Sequence, residues 1–463
     1  MSRFLLAATV LVDTDSLDGG SILALHCCAT QWRDALPIAP WVSLDAVAER
    51  AVTEAGYRGL LSREAALGLS VVQYCAALMR GALRSAADLQ AAADAAAAAP
   101  AAAAAARRVR TAAELSALVR AVRCGCQCVA NLCCGDESVG QYLEAGACAL
   151  LRDAAVLAVA ADAPALASAA LEAVCNFCSP NMCADANGGG FVGAITMERV
   201  RADLVTARAE VACVAAMRAW PADLAVARAG CLAVAGLGSM PNETVGEGNV
   251  NYRSAAALGS AGACEVVAAA LLVPGGAAAA VAAVSTLAWD PRCRARLGEA
   301  GAAAGVVRAL EAANDARDAT RWQAPAGDDC ERTGQCCAAV SNLSVDPCGD
   351  NAELLGLAGA CEAVVQAIHE VPRELPGSSV YEVGVNAIMG LSEVPDNRRK
   401  LCLAMDARAA AAARFPPSRR GTLTWLRQQM QHDFKEGFVP LPQIAHLFHT
   451  QEADPSEMVP LLF

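Results

Sequence analysis

The sequence predicts an all-α chain of repeated helical units, each too small to bury its own apolar faces and therefore stacked on its neighbours. Three observations predict it. The chain runs to 463 residues, too long for one ordinary core and suited to several domains or an extended array. Hydrophobic residues make up 56% but aromatic residues only 4%, so the apolar mass is alanine, valine and leucine. Small side chains of this kind favour close helix–helix packing over sheet faces. Finally, two short phrases recur in a fixed order along the chain.

The first phrase is a glycine-alanine step that opens an apolar helical run. It occurs at Glu144-Ala145-Gly146-Ala147-Cys148, Ser260-Ala261-Gly262-Ala263-Cys264, Glu299-Ala300-Gly301-Ala302 and Leu357-Ala358-Gly359-Ala360-Cys361. Helix-period apolar residues follow each, such as Leu150 and Leu151 or Val364 and Val365. The second phrase is an apolar helix ending in Asn-Leu or a relative. Its central positions are Asn131, Asn176, Gly236, Thr286, Asn342 and Gly390, spaced 45, 60, 50, 56 and 48 residues apart. In one unit the helices are expected at about Pro291–Ala300, Gly301–Ala313 and Asp329–Ser344. The glycine before each second helix permits a sharp turn with close backbone approach.

The order of apolar helix ending Asn-Leu, acidic or proline-containing turn, short helix, Ala-Gly-Ala and apolar helix resembles the armadillo repeat, whose period is roughly 40–47 residues. The resemblance covers residues 111–414. It implies a right-handed superhelical solenoid of stacked three-helix armadillo-type repeats. Outside the array, residues 1–40 form an uncertain amino-terminal segment. Residues 41–90 are expected as a helical cap or degenerate repeat, and 91–110 as an alanine-rich linker, helical or poorly ordered. Residues 415–463 are expected as a tail with one helix near Leu423–Asp433. Residues 183–193, 239–252 and 314–328 are rich in Gly, Asn, Asp or Pro and are expected as loop insertions.

The formal charge is −12, which disfavours nucleic acid and favours basic or neutral protein partners. Only Lys400 and Lys435 are lysines, so arginine supplies nearly all the positive charge. Phe4–Val12 faintly resembles a signal-peptide core but is short and followed by Asp13, Asp15 and Asp18, so secretion is not expected. No stretch is apolar and long enough for a membrane span; Ala91–Ala106 is interrupted by Asp94 and Pro100. The 22 cysteines lie mostly in apolar helical patterns and read as small buried hydrophobes in a reducing compartment, the cytoplasm or the nucleus. Cys124, Cys126, Cys128, Cys133 and Cys134 raise the possibility of zinc. Cys126 points away from Cys124 and Cys128, and no histidine is near, so packing is the better account.

The armadillo resemblance implies that the last helix of each unit lines a groove where asparagines bond the backbone of an extended peptide. Asn131, Asn176 and Asn342 hold that position, and an amide offers both donor and acceptor. The alternative is that these amides cap or bridge neighbouring helices within the array. Nuclear-import adaptors add a tryptophan one turn earlier; Gln127, Glu172 and Ala338 stand there instead. Glu172 and Glu382 either attract arginine or lysine or are ordinary solvated surface. Trp220, Trp289 and Trp322 are each a binding anchor or a core plug. His432, His446 and His449 lack a partnered nucleophile, and no catalytic, metal or cofactor motif is recognised. The expected function is therefore a non-enzymatic scaffold or adaptor binding extended peptides or partner helices. The alternatives are a nuclear transport adaptor and a substrate-recognition part of a ubiquitin ligase complex.

Overall fold

The structure, a computed structural model, describes residues 71–96, 101–133, 136–178, 194–239, 251–320, 327–345, 350–370 and 379–412. Eighteen helices and no strand occur among them. Two lead the chain in the places of a second and a third helix, α1 (Val71–Ala96) and α2 (Ala101–Leu132). Five triplets follow. They are α3 (Asp136–Glu144), α4 (Ala147–Ala160) and α5 (Pro164–Cys178); α6 (Ala194–Thr206), α7 (Ala209–Ala219) and α8 (Leu224–Gly238); α9 (Asn251–Ala261), α10 (Ala263–Ala270) and α11 (Ala277–Leu287). Then come α12 (Pro291–Glu299), α13 (Ala302–Thr320) and α14 (Gly327–Ser344); and α15 (Asp350–Leu357), α16 (Ala360–Glu370) and α17 (Ser379–Ser392). A last helix, α18 (Pro395–Ala412), takes the place of a first helix. The fold is all-α, a succession of three-helix repeats.

The local causes are visible in each triplet. The step from first to second helix is made by Gly146, Gly262, Gly301 and Gly359, all with φ between 74° and 98°. Only a left-handed residue turns the chain so sharply, and glycine adopts that conformation without a Cβ clash. The alanine after each step, Ala147, Ala263, Ala302 or Ala360, is at most 1% exposed, so a methyl group is all that fits. A fifth step, which no glycine announces, is made by Arg208 at φ 64°. Its guanidinium Nε donates to Glu210 Oε1 at 3.2 Å. The 60-residue interval between Asn176 and Gly236 therefore ends in a regular triplet, with residues 179–193 intervening before α6.

Helix starts follow the same economy. Asp290 accepts from Arg292 N at 2.8 Å and Cys293 N at 3.0 Å, with Pro291 at the first helical position. That arrangement satisfies two orphan donors and uses the one residue that lacks an amide proton. Asp223 does the same for α8 through Val226 N at 3.0 Å. Within a triplet, the third helix keeps a small residue six positions before its Asn-Leu site. At Gly125, Gly230 and Gly384 a Cβ would meet Met79, Met217 and Ile368 of the second helix. The large second-helix side chain sits directly on third-helix backbone there, which draws the two axes together.

The chain divides into two compact units, residues 1–283 and 284–463. In unit 1, α2 packs on α5 and α5 on α8, while α4 packs on α7 and α7 on α10. In unit 2, α14 packs on α17, α13 on α16, α12 on α15 and α15 on α18. Like helices thus stack on like, the nearest-neighbour order of a repeat array. Tyr142 and Phe177 are wholly buried and meet edge to face, their centroids 6.2 Å apart.

Some sequence expectations shift. Helix α13 continues to Thr320 and α14 begins at Gly327, so most of the loop expected over 314–328 is helical. Likewise α9 begins at Asn251, inside the loop expected over 239–252. The alanine content of 302–320 explains the first shift, since alanine has the highest helix propensity. Helix α2 runs from within the expected linker into the expected array. The residues at 1–40, the helix near Leu423–Asp433, Trp322 and the three tail histidines lie outside the described residues, as do Cys134 and the insertion at 183–193.

Candidate functional site

The third helices are nearly engulfed, and what little they expose is ordered. In α5 every position from Leu166 to Cys178 is buried except Ser168, Glu172 and Asn176. Four-residue spacing puts these three on one face. On the other third helices, Gly334 apart, the residues eight and four before the Asn-Leu site stay partly uncovered, as do Thr286 and Asn342 at the site itself. Arg123 and Gln127 fill the two earlier places on α2, and Arg228 and Leu232 fill them on α8. On α14 they are the buried Gly334 and half-buried Ala338, and on α17 the exposed Glu382 and Asn386.

The asparagines are used between helices. Asn176 Nδ2 donates to Ala130 O of α2 at 3.1 Å. Asn342 Nδ2 donates to Ser285 O of α11 at 3.0 Å and to its Oγ at 3.1 Å. In both cases the acceptor lies one residue before the corresponding site of the preceding third helix, Asn131 or Thr286. Both amides are half-buried. The bridging alternative is therefore realised by one end of each side chain. Neither Oδ1 accepts a hydrogen bond among the described residues. Asn131 lies on α2, but its side chain is outside those described. At Gly390 a Cβ would meet Ser344 Oγ of α14, which explains the break in the ladder there.

Gln127 is half-buried, and Glu172 and Glu382 are exposed. Sequence reasoning passed over Arg123, Arg228 and Asn386, which share the face. The signal for them was their register, eight or four residues before the recognised site. Trp289, left open between binding anchor and core plug, is 46% exposed, and Val345, which the sequence did not single out, is 56% exposed. Trp220 is half-buried, and its Nε1 donates to Asp162 Oδ1 at 3.2 Å.

The thiols are placed for packing. Burial pushes Cys175 up to about 11, aided by nearby Glu172, and Cys213 and Cys231 up to about 12. Cys126 is driven up by burial, then by Cys128. Such thiols stay protonated and are poor nucleophiles at neutral pH. Among the described residues no three His, Cys, Asp or Glu side chains are grouped to hold a metal ion, and no helix is long and apolar enough to cross a membrane.

No family model matches the chain, and no curated protein matches its sequence. Solved structures are similar in fold. An engineered protein from a structural genomics consortium is 16% identical with a TM-score of 0.42, covering 60% of this chain and 91% of that one. A designed armadillo-repeat protein in complex with the peptide (KR)4 is 18% identical with a TM-score of 0.40, covering 60% and 93%. A chain from work on a phosphorylation switch controlling the interaction between cadherin and beta-catenin is 14% identical with a TM-score of 0.45, covering 93% and 81%.

Proposed function

We propose that this chain is a non-catalytic protein-interaction scaffold whose third-helix faces hold extended segments of partner proteins. The observation that carries the reading is the narrow strip left uncovered at four-residue spacing on otherwise buried third helices, polar on α2, α5 and α17. A surface that only needed solubility would not keep the same register from repeat to repeat. The half-buried amides at Asn176 and Asn342 are anchored at their Nδ2 ends by the neighbouring helix. That anchoring orients Oδ1 at little further entropy loss on binding, which favours recognition of a peptide N–H. Asn131 is proposed to join them, with Gln127, Glu172 and Glu382 supplying side-chain contacts. Exposed Glu382 suits a basic or neutral segment in unit 2. A reducing compartment, cytoplasmic or nuclear, fits the many buried thiols.

The test is a peptide array of extended sequences probed with the full chain and with two variants. One carries Asn131→Ala, Asn176→Ala and Asn342→Ala. The other carries Glu172→Arg and Glu382→Arg, both at exposed positions that leave the seams intact. Weakened or redistributed binding by both variants, with the glutamate variant melting like the parent, is the expected result. An array pattern that neither variant changes would remove the third-helix face from consideration.

A further inference from the structure

The net charge of −12 conceals a local reversal on the third-helix face of unit 1. Arg123 on α2, Ser168 on α5 and Arg228 on α8 each stand eight residues before the Asn-Leu site. Their helices pack against one another in that order, so the three form one row. Arg120 adds a further guanidinium one turn back on α2, bonded to Ser116 Oγ at 3.0 Å. Arg228 is exposed. Arg123 is half-buried, and its Nε is shut away from water with no hydrogen-bond partner. No ion pair among the described residues engages Arg123 or Arg228. Leaving a guanidinium donor both dry and unpaired is costly, and a carboxylate pairing with the remaining nitrogens of the same guanidinium offsets that cost.

We propose that this row takes an acidic stretch of an extended protein segment, one carboxylate at Arg123 and a second at Arg228. The inference rests on the third-helix face being a binding surface and adds its selectivity in unit 1. Packed helices lie about 8–10 Å apart, which sets the two arginines about 20 Å apart. An extended chain covers that span in about six residues. Between them stands Glu172, one turn beyond Ser168 and exposed. It repels a third acid and favours a basic residue midway. Arginine suits the task because its planar fork matches a carboxylate, whereas lysine offers a point charge. Nucleic acid also presents spaced anions, but a strand with a phosphate at every residue would be repelled by Glu172 and by the acidic chain as a whole.

The experiment is fluorescence anisotropy with the full chain and three probes. The first is a Gly/Ser peptide carrying two glutamates about six residues apart with one lysine midway. The second replaces both glutamates by glutamine. The third is oligouridine. The glutamate peptide should bind about tenfold more tightly than the glutamine peptide. Arg123→Gln with Arg228→Gln should erase that difference, and Glu172→Gln should lessen the benefit of the lysine. If the arginine variant binds the glutamate peptide as the parent does, or no probe binds, the proposal is wrong. Oligouridine binding that exceeds the glutamate peptide's and is lost in the arginine variant would reassign the row to RNA and also overturn it. Equal binding of both peptides that still weakens with Gln127→Ala and Leu232→Ala would sink the arginine row while leaving the third-helix face standing. Insensitivity of every probe to every third-helix substitution would sink both.

Discussion

Beyond the third-helix amides Asn176 and Asn342, which the two units share, the units join their repeats by different chemistry. In unit 1, arginines on the second helices reach the turn between first and second helix of the next repeat. Arg80 Nη2 donates to Ala145 O at 2.5 Å, Arg152 Nη1 to Ala207 O at 3.2 Å and Arg218 Nη2 to Gly262 O at 3.5 Å. In unit 2, buried asparagines do most of the joining, beside one lysine, Lys400, whose Nζ donates to Gly356 O at 2.7 Å. Asn351 Nδ2 donates to Arg294 O at 2.9 Å, Asn397 Nδ2 to Ala352 O at 2.6 Å and Asn314 Nδ2 to Ala363 O at 3.0 Å. All three asparagines are at most 2% exposed. Two of them lie over glycine: a Cβ on Gly298 would meet Asn351, and one on Gly356 would meet Asn397. A long side chain reaches across a half-wet seam and tolerates misfit. A short buried amide needs the neighbouring helix to have no side chain at all. Unit 2 is therefore the more exacting packing and unit 1 the more forgiving one.

Gly356→Ala should be the most damaging of the small changes. It overpacks the seam and dislodges a buried amide, for about 3 kcal/mol of stability lost. Hydrogen-exchange protection should fall in unit 2 and hold in unit 1. Asn397→Ala leaves the glycine in place and removes one buried bond, so about 2 kcal/mol is expected by urea denaturation. If both changes proved neutral, the distinction between the seams would fail. Arg152→Met in unit 1 keeps the packed stem and loses a partly solvated bond; about 1 kcal/mol is expected, with protection falling near 207 only.

Alkaline pH separates the units in another way. Among the described residues six thiols are raised by burial in unit 1, at Cys126, Cys148, Cys175, Cys178, Cys213 and Cys231. In unit 2 the raised thiols are Cys336 and Cys361. A folded thiol near 12 keeps its proton while the unfolded thiol, with its ordinary value of 9.0, loses it. The native state then binds more protons than the unfolded one, so stability falls as pH rises above about 9. Limited proteolysis at rising pH should cut unit 1 first. The smallest expected effect is at the two kinds of step. Gly301→Ala should destabilise by about 1 kcal/mol. Arg208→Gly should be close to neutral, because relief of the left-handed arginine is offset by the lost bond to buried Glu210.

The fold was legible because its turns are written in glycine and alanine. The step at Arg208 was not, since the backbone keeps the left-handed shape while the residue type changes, and a side-chain bond to Glu210 replaces glycine's freedom. The positions of Asn176 and Asn342 were readable from periodicity; their partners were not. The acceptors are main-chain carbonyls 46 and 57 residues earlier, and a carbonyl is the same at every residue. Asn351 and Asn397 were missed for the same reason. Gly298 and Gly356, which accommodate them, look like ordinary weak points in a helix until the neighbouring helix is in view.

Four of the amide bonds share a polarity, against the forward reach of Asn314, Arg80, Arg152 and Arg218. Asn176, Asn342, Asn351 and Asn397 all reach backward along the chain, donor in the later repeat and acceptor in the earlier. The acceptors are helical carbonyls, and those of Arg294 and Ala352 lie inside their helices, where an amide four residues on can bond them. Eroding the array from its carboxyl-terminal side would strip away donors and leave behind carbonyls that lose little. Eroding it from the amino-terminal side would orphan amides that have nowhere else to turn. In unit 2, where backward-reaching Asn342, Asn351, Asn397 and Lys400 outnumber forward-reaching Asn314, stepwise trimming should thus be better tolerated from the carboxyl-terminal side.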